Sequence, residues 1–257
     1  MTSVRRKRIC SCRVYILASI STEISASGLL TVTFDTTWLV VPAFNEEAVV
    51  GDTVAAARQY FSNIIVVDDC SSDKTSINAR NAGATVCRHP VNLGQGAALQ
   101  TGIDYALSRG ADHIVTFDAD GQHRPIDAAD MVKILDSGRF DVVLASRFLG
   151  HTVGMQLSKR LLLKLATLYT RVTTGLEISD THNGLRVFSA NAARKIRIRQ
   201  NRMAHASEIL ELISKLGLRY TEAPCTIIYT DYSIAKGQRM VGAVSILKDL
   251  LVRRMYR

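Results

Sequence analysis

Residues 114–122 read Ile-Val-Thr-Phe-Asp-Ala-Asp-Gly-Gln. The first four are apolar or β-branched, a short run of the kind found in strands covered on both faces, and the polarity then switches abruptly. In an extended chain residues two apart share a face, so Asp118 and Asp120 concentrate negative charge on one side of a strand end. A divalent cation relieves that repulsion. Mg²⁺ or Mn²⁺ prefers oxygen ligands and is commonly held by one or two carboxylates, with substrate phosphates completing the shell. Asp118 and Asp120 are therefore candidate metal ligands, and Gln122 could add an amide oxygen or orient a water. The competing use of the two acids is to cap the helix that Pro125 opens.

Working outward, comparable apolar runs stand at 38–41, 64–67, 84–86 and 142–145, with helical patterns at 46–60, 73–81, 96–108, 125–136 and 156–173. This alternation predicts an α/β fold with a mostly parallel central sheet flanked by helices. After Gly175 the alternation gives way to a polar loop (179–184), a strand (185–188), two helical stretches and a strand (219–229). A terminal helix is expected over 241–256, with Val244, Leu247, Leu251 and Met255 at helical spacing beside Lys248, Arg253, Arg254 and Arg257. Residues 1–37 differ: Arg5-Arg6-Lys7-Arg8 precede a short apolar stretch and Ser/Thr-rich sequence, and are expected to form a disordered or mis-started extension. The domain is then 38–257, in two halves, 38–150 and 151–257.

The composition narrows the function classes. In 257 residues, 47% hydrophobic and 21% charged side chains exclude a mainly disordered chain. No uncharged apolar run nears the roughly 20 residues that span a bilayer. Cys10, Cys12, Cys70, Cys87 and Cys225 are too scattered for a zinc site and read as reduced thiols. The net charge of +9 is unevenly spread: +3 over 1–38, −3 over 39–184 and +9 over 185–257. A basic tail suits an acidic partner, whether a phosphorylated substrate, an anionic membrane surface or nucleic acid. Nucleic acid is disfavoured, since no aromatic stacking residues or recognisable motif accompany the charge.

Ligands of open parallel sheets bind beyond the carboxyl ends of the strands. Those ends read Pro42-Ala43-Phe44-Asn45-Glu46-Glu47, Asp68-Asp69-Cys70-Ser71-Ser72-Asp73, Asp118-Ala119-Asp120-Gly121-Gln122 and Ser146-Arg147, and the third strand leads into His89-Pro90-Val91-Asn92-Leu93-Gly94-Gln95-Gly96. Asp68 or Asp69 could hydrogen-bond a nucleobase or ribose, although Ser72 looks like a helix cap and Asn45 another. The turn at Gly94 and Gly96 is not a dinucleotide fingerprint, because Leu99 takes the third glycine's place, and no Gly-Lys-Ser/Thr is present. It reads as a flexible turn with Asn92 in reach of a ligand. His89, His123, His151, His182 and His205 lack metal-ligand spacing and are assigned structural or solvent-facing roles.

Taken together, Val-Val-Pro-Ala-Phe-Asn-Glu-Glu (40–47), Val-Val-Asp-Asp-x-Ser-Ser-Asp (66–73), Asn-Leu-Gly-x-Gly-x-Ala (92–98) and Asp-Ala-Asp-Gly-Gln-His (118–123) resemble family 2 glycosyltransferases, most closely the dolichyl-phosphate mannosyltransferase and polyprenyl-phosphate glycosyltransferase group. The resemblance runs in order over 38–257. It implies the GT-A fold, a nucleotide-sugar donor, Mg²⁺ or Mn²⁺, and a division into a nucleotide-sugar half (38–150) and an acceptor and membrane-facing half (151–257). It places Pro42, Ala43, Phe44, Asn45 and Glu46 in the nucleoside pocket with Asp68 or Asp69 near the base, and Asn92, Gly96 and Ala119 in the same donor site. It assigns Asp118, Asp120 and Gln122 to the metal and diphosphate, and Arg147, Ser158, Lys236 and Arg239 to the acceptor phosphate. The segment Asp180-Thr181-His182-Asn183-Gly184-Leu185-Arg186 looks like the family's Asp…Ser-Gly-Phe-Arg, with Asn and Leu substituted. Cys70 stands where Gly is usual, and Gly154 where the lipid-phosphate synthases tend to have Arg. The Gln-x-x-Arg or Gln-x-x-Trp of processive polymerases is missing, which implies one sugar per encounter.

The expected reaction is a direct, inverting displacement at the anomeric carbon, with Asp118, Asp120 and Arg147 as the catalytic set. A polyprenyl-phosphate acceptor is already anionic and needs no general base; a sugar hydroxyl does, and Asp180 and Glu208 are the candidates. The basic tail, together with Leu157, Leu161, Leu162 and Leu165 beside Lys159, Arg160 and Lys164, favours peripheral attachment to the cytoplasmic membrane face. The alternatives are transfer to a sugar hydroxyl in cell-surface polysaccharide synthesis and a catalytically silent nucleotide-sugar-binding protein.

Overall fold

The computed structural model of the protein describes residues 20–24, 30–155, 157–230 and 232. Strands β1 (Ile20–Ile24) and β2 (Leu30–Phe34) pair antiparallel as a separate two-stranded sheet. The central sheet follows with β3 (Thr37–Ala43), α1 (Val50–Ala57), β4 (Asn63–Asp68), α2 (Thr75–Asn81), β5 (Thr85–Arg88), α3 (Gln95–Ser108), β6 (His113–Thr116), α4 (Pro125–Asp136) and β7 (Val142–Val153). Then come α5 (Leu157–Thr174), β8 (Arg186–Ser189), α6 (Ala190–Lys195), α7 (His205–Lys215) and β9 (Tyr220–Ile228). The expected terminal helix over 241–256, and Lys236 and Arg239 before it, lie outside the described residues.

Seven strands order as β5-β4-β3-β6-β8-β7-β9, parallel throughout except β8, which runs antiparallel to both β6 and β7. The chain steps outward from β3 to β4 and β5, and α3 carries it back to β6 on the other side of β3. That reversal opens a crevice at the carboxyl ends of β3 and β6, where ligands of open α/β sheets bind. The strands read as near-continuous apolar runs because both faces are covered. Val41, Ile64, Val66 and Val115 belong to one apolar layer and Val40, Ile65, Val67 and Ile114 to the other.

Three boundaries differ most from the sequence expectation. The core begins before Trp38: Phe34 is buried and stacks on Phe61, with ring centroids 5.8 Å apart. Helix α1 starts at Val50 rather than residue 46, because the chain between is drawn into hydrogen bonds with its neighbour. The Asn45, Glu46 and Glu47 amides donate to the side chains of Ser71, Thr75 and Asp73, and Asn45 takes a left-handed φ of 53°. Strand β7 runs on to Val153, well past the expected 145, paired with β9 on both sides of an irregularity between Ser146 and His151. There Gly150 packs against the Cys225 backbone, and a Cβ would lie 2.1 Å from the Cys225 carbonyl oxygen.

Candidate active site

Helix α4 begins at Pro125 with Arg124 as its cap residue, so Asp118 and Asp120 do not cap it. They stand beyond β6 beside the end of β3. Asp118 Oδ1 accepts from Gln95 Nε2 at 3.1 Å, and Oδ2 meets His123 Nε2 at 3.2 Å. Gly184 lies directly against this carboxylate: a Cβ there would sit 2.1 Å from Asp118 Oδ2. Asp120 Oδ1 accepts the Gln122 amide at 3.1 Å.

The two carboxyls are pushed in opposite directions. Burial alone would lift Asp118, but the hydrogen bond and charge of His123, with the more distant charge of Arg186, hold it below the usual carboxylate value. Burial and then the charge of Asp118 push Asp120 up to about 6, against the Gln122 amide bond. This is the like-charge repulsion expected of the pair. Hard oxygen donors under mutual repulsion fit Mg²⁺ or Mn²⁺. Among the described residues no group of three or more His, Cys, Asp or Glu side chains could hold a metal by itself, so such an ion would draw further oxygens from Gln122, water or a phosphate ligand.

The nucleoside-side residues separate into two sets. Pro42 and Ala43 are buried strand residues, whereas Phe44 is exposed at the end of β3. Glu46 is buried and its Oε2 accepts from the Tyr232 hydroxyl at 2.8 Å, so the chain beyond β9 returns to the nucleoside loop. Asp68 and Asp69 are buried and turned inward. Asp68 accepts from the Ser71 amide at 2.8 Å and from Ser76 Oγ. Asp69 accepts from the Leu93 and Gly94 amides at 2.9 and 2.6 Å and bonds His89 Nδ1 at 2.8 Å, while Asn92 donates to its carbonyl. These two carboxylates brace loops. Asp73, not Ser72, bonds the Thr75 amide at the start of α2. Gly96 is glycine because a Cβ would lie 2.0 Å from the Gln200 carbonyl oxygen, and its amide donates to Asn201. Cys70 has φ 65°, which explains why the family favours Gly there; a non-glycine residue costs about 1–2 kcal/mol in that region.

The acceptor-side residues are rearranged most. Arg147 is buried; its Nε donates to Asp180 Oδ2 at 2.6 Å, Nη1 to the Tyr229 hydroxyl at 2.9 Å and Nη2 to the His182 carbonyl at 2.7 Å. Burial would lower its pKa, but the Asp180 carboxylate raises it. Asp180 also accepts the Arg147 amide, so it is a buried ion-pair partner and not a free base. Glu208 accepts the Arg199 and Gln200 amides at 3.0 and 2.8 Å, so its carboxylate is engaged by the backbone. Ser158 falls in the first turn of α5.

The sequence gives no site role to Gln95, Gly184, Arg186 or Tyr232, and reads His205 as structural or solvent-facing. Only Gly184 and Arg186 carried a signal, inside the 180–186 segment. His123 had been assigned a structural or solvent-facing place, and in the fold it touches a candidate metal ligand.

An open, mostly parallel sheet with an Asp-x-Asp pair at its switch point defines a nucleotide-sugar transferase of the GT-A type. The chain belongs to glycosyl transferase family 2, whose sequence model matches residues 38–197, and is a glycosyltransferase. It is 32% identical over 240 residues to the UDP-N-acetylglucosamine–dolichyl-phosphate N-acetylglucosaminyltransferase of Methanococcus voltae, covering 85% of this chain and 96% of that one. It is 28% identical to the undecaprenyl-phosphate mannosyltransferase of Micrococcus luteus, over 77% and 85% of the two chains. Its fold matches glucosyl-3-phosphoglycerate synthase of Mycobacterium tuberculosis, crystallised with Mn²⁺, UDP-glucose and phosphoglyceric acid, with a TM-score of 0.66 at 20% identity over 85% of this chain and 79% of that one.

Proposed function

We propose that the protein transfers one sugar, with inversion, from a nucleotide-sugar (GDP-mannose or a UDP-sugar) to a polyprenyl phosphate at the cytoplasmic membrane face. The observation that carries this reading is the state of the carboxylates. A hydroxyl acceptor needs a base, yet Asp180 is held by Arg147, Glu208 by two backbone amides and Glu222 by the Ser179 and Asp180 amides. A phosphate monoester needs none. The names of the Methanococcus and Micrococcus relatives support the same acceptor class, and they differ in donor.

A divalent cation held by Asp118 and Asp120, with Gln122 near, would offset charge on the departing nucleoside diphosphate. The chain's own residues do the rest. Phe44, Asn45 and Glu46 frame the nucleoside, and Asp68 and Asp69 stiffen the loops around it. Arg147 spends three of its five N–H donors inside the protein and keeps one on each terminal nitrogen for the acceptor phosphate, with Ser158, Lys236 and Arg239 as further contacts.

The approach to the membrane falls to α5. Its half-buried and buried face carries Ala166, Thr167, Thr170 and Thr174, while Leu157, Leu161, Leu165, Leu168 and Val172 are exposed along one stripe with Arg160 and Lys164 near. A helix with its leucines outward and cations at hand suits an anionic lipid surface. Among the described residues no helix is long and apolar enough to cross a membrane.

The test incubates purified protein and Mn²⁺ or Mg²⁺ with radiolabelled GDP- and UDP-sugars and a short-chain polyprenyl phosphate. Metal-dependent label in the organic phase is the expected result and names the donor. Donor hydrolysis without organic label would overturn the acceptor and redirect it to hydroxyl groups; no turnover with retained donor binding would leave a binding protein.

A further inference from the structure

Below Asp118, on the side of α3 and α7, lies a set of polar groups that the displacement chemistry does not use. Gln95 Nε2 holds Asp118 Oδ1 at 3.1 Å. A Cβ on the next residue, Gly96, would lie 2.9 Å from the Cβ of His205. The residue after His205, Ala206, offers its carbonyl to Arg186 Nη2 at 3.3 Å. Arg186, His205, Gln95 and Asp118 thus form a ring of neighbours, and the charge of Arg186 is felt at both His205 and Asp118.

Two members of this ring are underused. Arg186 is only 4% exposed, yet among the described residues the one hydrogen bond of its guanidinium is the long contact to Ala206, and no carboxylate lies within ion-pair distance. His205, 5% exposed, places Nδ1 2.8 Å from the Arg202 carbonyl oxygen. A carbonyl only accepts, so Nδ1 carries the proton and Nε2 is left with a lone pair and no protein partner. Burial lowers His205 to about 4, which keeps its imidazole neutral at physiological pH. Burial also lowers Arg186 to about 10, which still leaves it charged.

The geometry points to a sugar-hydroxyl subsite in which Arg186 donates to, and His205 Nε2 accepts from, a hydroxyl of the donor sugar beside Asp118. An anion fits this ring poorly, because the lone pair of His205 and the oxygens of Asp118 would face it. A hydroxyl both donates and accepts, and finds both complements here. Sites built this way reject an analogue that lacks or misdirects the hydroxyl, since the buried protein groups are then left unpaired. The assignment rests on the donor reading above and deepens it: the metal pair holds the diphosphate end, and Arg186 and His205 choose the sugar.

The test is calorimetric binding with Mn²⁺ present, comparing UDP and GDP with UDP-glucose, UDP-galactose, UDP-N-acetylglucosamine and GDP-mannose. His205→Phe removes the acceptor at similar volume, His205→Gln restores an acceptor, and Arg186→Lys keeps a donor. For His205→Phe the expected result is nucleoside diphosphate affinity within twofold of wild type, about tenfold weaker binding of the preferred nucleotide-sugar and reduced discrimination among the sugars, with substantial recovery in His205→Gln. Equal losses for diphosphate and nucleotide-sugar would overturn the subsite, as would unchanged sugar affinity or a loss confined to polyprenyl phosphate. Should wild type bind no nucleoside diphosphate at all, the donor reading fails, and this assignment with it; should it bind diphosphates but gain nothing from any sugar, the subsite alone fails.

Discussion

Arg147 Nε lies 2.6 Å from Asp180 Oδ2 in a buried ion pair that joins the middle of β7 to the 180–186 segment. One side chain had been assigned to the acceptor phosphate and the other considered as a base. Together they tie three segments into one buried cluster, since Arg147 also holds the Tyr229 hydroxyl and the His182 carbonyl. The same pairing occupies the Asp180 carboxylate, one of the two candidate bases for a hydroxyl acceptor.

Breaking this pair should destabilise the protein severely. Removing one partner leaves a buried charge uncompensated, at a cost of about 3–5 kcal/mol. Arg147→Ala and Asp180→Ala should each lower the unfolding free energy by that order, and the double variant should lose much less than their sum. Denaturant titrations of the three variants read the coupling directly; strict additivity would mean that the pair contributes nothing as a pair.

Asp120 should trade stability for function. A carboxyl held near 6, against its ordinary 3.8, costs stability where it must ionise; the cost is absent at pH 4 and below and is complete once the pH exceeds about 6. In chelator, Asp120→Asn should therefore melt higher than wild type at pH 7.5 and converge with it near pH 4. Added Mn²⁺ should raise the wild-type Tm at pH 7.5 and leave the variant unmoved, while turnover in the variant collapses. Thermal melts across pH, with and without metal, check all three.

Gly184→Ala should damage the site more than the fold. Its Cβ would be placed 2.1 Å from Asp118 Oδ2, so the carboxylate must move by an ångström or more. A displacement of that size at a reacting centre costs about a hundredfold in rate. Donor turnover and Mn²⁺ affinity should both drop, and far-UV circular dichroism should stay that of wild type.

The exposed stripe of α5 should be dispensable for folding and needed for lipid. Leu161 and Leu165 are 62% and 57% exposed, so Leu161→Glu with Leu165→Glu should stay within about 0.5 kcal/mol of wild-type stability. Co-sedimentation with vesicles containing anionic lipid should fall sharply in the variant. Undiminished vesicle binding would move the membrane contact away from α5.

The sequence by itself determined the sheet and the adjacency of Asp118 and Asp120. Apolar runs long enough for a strand and too short for a helix, alternating with amphipathic stretches, permit little besides a parallel sheet covered on both faces. Two acids at the end of such a run are legible because local spacing alone sets their proximity. Helix α4 starts at Pro125 for a local reason too, the fixed φ of proline. Tertiary structure decided everything that depends on which distant groups meet. Asp180 and Arg147 are 33 residues apart, Glu46 and Tyr232 are 186 apart, and Arg186 approaches His205 only because β8 is inserted antiparallel between β6 and β7. Whether a carboxylate is a base, a brace or a counter-ion depends on the donors that burial brings to it, and no spacing along the chain encodes that.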